Sequence, residues 1–161
     1  MKGQNLPPDD HVVRVVPFKK LRRDEDDNVL GISHVAFERR LGEEELSVTW
    51  LEYFAGNRSE MLNAAVQALR ASEYKPTPKS GFAIGQVGAI KATCEQYSAK
   101  IRIIHAPMDD NKAHSEVRQL PRDNVALLEA LAASSWSELV MNADIPPGQK
   151  SAADEPAIRS V

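Results

Sequence analysis

Cysteine is nearly absent: Cys94 is the single one in 161 residues. One thiol excludes a disulfide within the chain and any multi-cysteine zinc site. A reducing, cytoplasmic compartment is therefore the expectation. With no His or Lys beside it in sequence, Cys94 reads as a small buried hydrophobe rather than a nucleophile. Long apolar runs are missing too. Nothing approaches the roughly 18–20 residues of a membrane span, and residues 1–8 lack the apolar stretch of a secretory signal. Charge of one sign is not in excess: 20 basic against 23 acidic residues leave a net charge of −3. That balance argues against a general nucleic-acid binder, which carries a clear basic surplus. Gly81, Gly85 and Gly88 do not make a G-x-G-x-x-G, and no G-K-[ST] occurs. A phosphate loop is thus excluded, and no cofactor or metal is expected.

What is present is the composition of an ordinary globule, 42% hydrophobic and 27% charged, long enough to bury a core unaided. Residues 1–10, with Pro7-Pro8, read as a flexible or extended lead-in. Residues 142–161 hold three prolines and no apolar period, so a disordered tail is expected there. Between them, 11–141 reads as one domain. Val12, Val13, Val15 and Val16 mark a strand that Pro17 ends. The bases Lys19, Lys20, Arg22 and Arg23 against the acids of 24–27 read as a solvated loop. Leu46, Val48 and Trp50 alternate with Ser47 and Thr49, a half-buried strand. One helical turn follows at 51–54, with Thr49 and Glu52 at capping-box spacing.

Leu62, Ala65, Val66 and Leu69 fall at helical spacing behind Asn57 and Glu60, which predicts a helix near 58–72. Residues 81–93 read as a glycine-interrupted strand that should pair as a hairpin with 100–105. Residues 106–120 read as a polar loop. A second helix is expected over 123–140, capped by Asp123, with Val125, Leu128, Leu131, Trp136 and Leu139 as its stripe. Strands and helices do not alternate regularly. The expectation is an α+β domain, a mostly antiparallel sheet with two main helices packed on one face.

Histidine is the residue type suited to acid–base work near neutral pH. His11 opens a strand, His105 closes one, and His114 lies in the loop that follows. Convergence of these three at one sheet end, two imidazoles moving protons and Arg14 holding an anion, would serve a phosphate-ester or nucleotide-like substrate. The expectation is that at least two of the rings come within roughly 10 Å of each other beside a concave surface. His114→Ala should then impair function more than folding. Surface histidines with local hydrogen bonds are the plainer reading. A metal set of His105, Asp109, Asp110 and His114 has no recognised spacing, and loop aspartates usually form turns. Trp50, Tyr53 and Phe54 put three of the nine aromatics in five residues. Core packing is the default for such a cluster, and Trp50 and Tyr53 are also residue types that anchor interfaces.

Three stretches add a resemblance. They are His11-Val-Val-Arg14; Ala36-Phe37-Glu38-Arg39-Arg40 leading to Glu45-Leu46-Ser47-Val48-Thr49-Trp50-Leu51-Glu52-Tyr53; and His105-Ala106-Pro107 with Asn111-Lys112-Ala113-His114-Ser115. Together they resemble a family of small, uncharacterised bacterial proteins. The resemblance implies a bacterial origin and a compact domain, and it attaches no activity to any residue. With no cofactor motif, an acidic balance and a proline-rich tail, the function expected is that of an interaction or accessory protein meeting a protein partner, with no membrane or nucleic acid involved. A histidine-dependent enzyme is the alternative.

Overall fold

The valines of 11–16 form a strand whose two faces are both covered. The computed structural model describes residues 3–39, 42–73 and 75–148. In chain order its elements are β1 (His11–Val16), β2 (Leu21–Arg23), β3 (Val29–Ile32), β4 (Glu45–Trp50), α1 (Arg58–Arg70), β5 (Gly81–Gln86), α2 (Val87–Gln96), β6 (Arg102–His105), β7 (His114–Arg118), α3 (Val125–Ala130) and β8 (Glu138–Met141). Six strands make one antiparallel sheet in the order β6-β7-β4-β1-β5-β8. The fold is α+β, as the element pattern predicts. The block of bases and acids at 19–28 is not a plain loop. There β2 and β3 pair as a small separate hairpin, whose turn Asp24 organises by accepting from the amides of Asp26 and Asn28.

The helices divide between the two faces instead of sharing one. Val13, Phe82 and Ile84 turn toward α1 and pack with its Ala65, Val66 and Leu69. Val12, Val16 and Ala83 turn the other way, into a larger cluster with Ile90 and Cys94 of α2 and Leu127 and Leu128 of α3. The reason is the period-two alternation of β1 and β5: strands apolar on both faces need cover on both. The expected capping box of α1 is present, Asn57 accepting from the Glu60 amide and Glu60 from the Asn57 amide.

Two expected elements change type. Residues 81–93 are not one strand. The chain leaves β5 at Gln86 and enters α2, where Val87, Ile90 and Cys94 follow at helical spacing and are buried. The first amides of α2 are satisfied from outside, Val87 by the Asp10 carbonyl at 2.8 Å and Gly88 by the Pro8 carbonyl at 2.8 Å. The expected hairpin with 100–105 therefore does not form. β5 pairs with β1 and β8, and β6 pairs with β7, which lies inside the stretch read as a polar loop. The helix expected over 123–140 is capped by Asn124, not Asp123, and passes into a π-turn at Leu131–Ser135. Trp136 then turns inward, stacks on Phe37 at 4.4 Å and donates its indole N–H to the Ala83 carbonyl. β8 follows as an edge strand.

Both chain ends are more engaged than expected. The lead-in lies along β6: Gly3 donates to the His105 carbonyl, His105 to the Gln4 carbonyl and Leu6 to the Ile103 carbonyl. Leu6 is buried. Residues 142–148, expected to begin the tail, pack on α1. Arg70 donates to the carbonyls of Asn142, Ile145 and Pro146 and to the Asn142 side chain, and Asn142 is itself buried. The rest of the expected tail, 149–161, and residues 1–2 lie outside the described residues. No helix among the described residues is long and apolar enough to cross a membrane.

Candidate functional site

Strand parity places two of the three histidines on one face of the sheet and the third on the other. Val13 faces α1, so His11, two positions back, starts on that side. Ser115 and Val117 are buried toward the α2 and α3 side, which puts His114 on the α1 face. His105 shares the parity of Ile103 and lies on the opposite face from His114. The set His105, Asp109, Asp110 and His114 is thereby divided. Among the described residues no group of three or more His, Cys, Asp or Glu gathers as a metal would require.

Each ring has its own partner. His11 Nδ1 sits 2.6 Å from Glu52 Oε2, and the His11 amide donates to Glu52 Oε1 at 2.6 Å. Glu52 is therefore engaged with His11, and the capping box expected with Thr49 does not form. Thr49 Oγ1 accepts from the Asn111 side chain. His114 Nδ1 is 2.8 Å from the Ala106 carbonyl. His105 Nε2 is 2.8 Å from the Lys112 carbonyl. A carbonyl only accepts, so the neutral ring of His114 carries its proton on Nδ1 and that of His105 on Nε2. Arg14 sits where β1 and β4 part after pairing at Val12 and Val13. Its guanidinium donates to the carbonyls of Ala36 at 3.0 Å and Ser47 at 2.9 Å.

The α1 face carries a groove of about 550 Å3, lined by Arg14, Ser47, Thr49, Asp110, His114 and Glu116 among others. His11 and His105 are not in its lining. Many of its polar groups already have partners within the protein. Glu116 pairs with Arg118 at 2.8 Å, Asn111 with Thr49, and Asp110 with the Glu73 amide at 2.8 Å. Groups matched in this way have little to gain from a ligand.

A second cluster differs in this respect. Trp50 ends β4 and Tyr53 ends the one-turn 3-10 helix Leu51–Tyr53. The Trp50 and Tyr53 ring centroids are 6.1 Å apart. His105 stands edge-on to Trp50 at 5.1 Å and tilted to Tyr53 at 5.6 Å. Exposure falls inward across the three, from Tyr53 at 44% to His105 at 6%. Trp50 donates its indole N–H to Asp10 Oδ2 at 2.9 Å. His105 Nδ1 is buried with no hydrogen-bond partner, a condition shared among the described residues only with Ser135 Oγ in the π-turn.

Sequence reasoning singled out Trp50, Tyr53 and His105 without placing them together, and it missed Glu52 as the partner of His11. The signal for the latter lies in one residue pair: a helical turn directly after β4 sets Glu52 beside the start of the neighbouring β1. Compared with family models, curated proteins and solved structures, the chain finds no match in any of the three.

Proposed function

We propose that this protein is a non-catalytic interaction module that docks a protein partner through the surface built on Trp50 and Tyr53. The observation that supports the reading is the exposure of Tyr53, 44%, on a ring cluster whose inner members are held rigidly by the sheet. Amphipathic aromatics fixed in this way are the side chains that dominate protein interfaces. Phe54, edge-on to Tyr53 at 5.4 Å, supports it from the core on the α1 side.

The test is capture from a lysate of the source cells, comparing the native chain with Tyr53→Ala and with Leu30→Ala, a still more exposed apolar residue on the small hairpin. The expected result is one partner retained by the native chain and by Leu30→Ala, and weakened about tenfold or more by Tyr53→Ala. Capture that is indifferent to Tyr53 would overturn the reading.

The histidine-dependent enzyme stands second. Its support is the His11–Glu52 pair, in which a carboxylate fixes a partly exposed imidazole. Against it, Arg14 is turned to main-chain carbonyls, and His105 lies across the sheet from His114.

A further inference from the structure

We propose that the Trp50–Tyr53–His105 cluster receives the side-chain ammonium of a lysine on the partner, with His105 Nδ1 as the hydrogen-bond acceptor and the Trp50 and Tyr53 rings as the walls. This rests on the interaction reading and names the group it recognises.

The argument begins at the acceptor. Because Nε2 of His105 donates to the Lys112 carbonyl, Nδ1 of the neutral ring is a bare lone pair. It is buried in a residue 6% exposed and has no partner. An unmet buried acceptor carries the cost of its lost hydration, and an incoming donor removes that cost. The occupant must therefore carry an N–H or O–H.

The walls add a charge requirement. The faces of Trp and Tyr attract a cation held within roughly 6 Å of the ring centroid. Two carboxylates stand at the rim, Asp10 on the Trp50 indole and Glu52 next to Tyr53 in sequence and bound to His11. They repel phosphates and carboxylates and favour a positive group. Lys112 offers its carbonyl to His105. Its ammonium lies 3.9 Å from Asp109. A single lone pair suits the point donor of an ammonium better than the planar fork of a guanidinium, which reads paired acceptors. A quaternary ammonium has no N–H to give.

Entry falls to Tyr53. The three rings touch one another, and Tyr53 is the outermost. It is 44% exposed, and entry requires its side chain to turn outward by a rotamer change of the kind exposed residues make in picoseconds to nanoseconds. Trp50 and His105 stay fixed, Trp50 by Asp10 and His105 by main-chain bonds to Gln4 and Gly3.

The test is an NMR titration of the full chain with three end-capped Gly-Gly-Lys-Gly-Gly peptides, bearing a free ammonium, an Nε-acetyl group or an Nε-trimethyl group. The Trp50 indole and His105 ring signals report the site, and the Trp136 indole is the internal reference. The free ammonium should shift Trp50 saturably with a Kd in roughly the millimolar range. The acetylated peptide should bind about tenfold more weakly or worse, and the trimethylated one several-fold more weakly. His105→Phe keeps a ring in place and removes the lone pair, so the free ammonium should bind several-fold more weakly and no better than the trimethylated peptide. Should that variant fail to fold, Tyr53→Ala, at an exposed position, should weaken binding several-fold.

Absence of a saturable Trp50 shift, or equal binding of the free and acetylated peptides, would overturn the proposal. The interaction reading is judged separately, by whether partner capture depends on Tyr53. A partner still held through Tyr53 after acetylation of its lysines would keep that reading and end this one.

Discussion

Arg14 shows how one residue type admits two readings until its neighbours are known. In sequence it is a cation three positions after a histidine. In the fold it reaches two carbonyls where β1 and β4 separate, groups that would otherwise be short of donors. Cys94 has no such ambiguity. It is fully buried in the larger core cluster, and burial, with the charge of Glu95 adding to it, pushes its thiol up to about 11. The sign of the linkage follows. An unfolded thiol ionises near its ordinary value, about 9, while the folded one keeps its proton. The stabilisation is complete below about pH 9 and is lost as pH rises through 11. The stability advantage of the native chain over Cys94→Ala in urea should therefore shrink by about 2 kcal/mol between pH 8 and pH 10.5. An advantage that stays constant across that range would show that the thiol does not titrate as its burial implies.

At the scale of elements, what could be read in advance depended on whether a periodic stripe was interrupted. α1 was legible because Leu62, Ala65, Val66 and Leu69 follow a capping pair without a break. α2 was obscured by Gly85 and Gly88, which read as features of a strand, although Val87, Ile90 and Cys94 already carried the helical period. β8 was hidden because Trp136 and Leu139 continue the stripe of α3 in register, and only the π-turn breaks it. The joining of His105 to Trp50 was out of reach. It depends on β7 lying between β6 and β4, and no local pattern encodes that pairing.

Gly85 illustrates how tightly strand and helix layers meet. A Cβ there would stand 2.8 Å from the Ser135 carbonyl oxygen, 2.8 Å from the Trp136 ring and 2.9 Å from Ile90. One of those atoms is backbone and another belongs to a fully buried ring, so neither yields easily. Gly85→Ala should cost roughly 1–3 kcal/mol by overpacking, seen as a lower urea midpoint with an unchanged slope. A neutral or stabilised variant would mean that the π-turn shifts freely.

For the molecule as a whole, the stabilising contacts extend past the last strand. Arg70 gathers the carbonyls of Asn142, Ile145 and Pro146, and Asn142 is bonded to Ser80 and Thr77. Composition could not show this, because the segment is held by one arginine and main-chain carbonyls rather than by an apolar stripe. A chain ending at Gly148 should keep this clasp, and one ending at Met141 should lose it. Several hydrogen bonds at about 1 kcal/mol each predict a melting temperature roughly 10 °C lower for the shorter chain. Equal melting temperatures would show the clasp to be energetically idle.

The lacing of Gly3, Gln4 and Leu6 onto β6 sets a timetable for synthesis. The strand that receives these residues is made about 100 residues after them, a wait of roughly 5–20 s at typical elongation rates. Both sheet neighbours of β1, β4 and β5, are made within that interval, while the β6 edge of the sheet is still missing. His105, once made, is seated by two main-chain bonds to Gly3 and Gln4, synthesised about 100 residues earlier. The inner wall of the aromatic cluster is thus closed by joining two segments made far apart in time, and it can first take shape only when β6 has emerged.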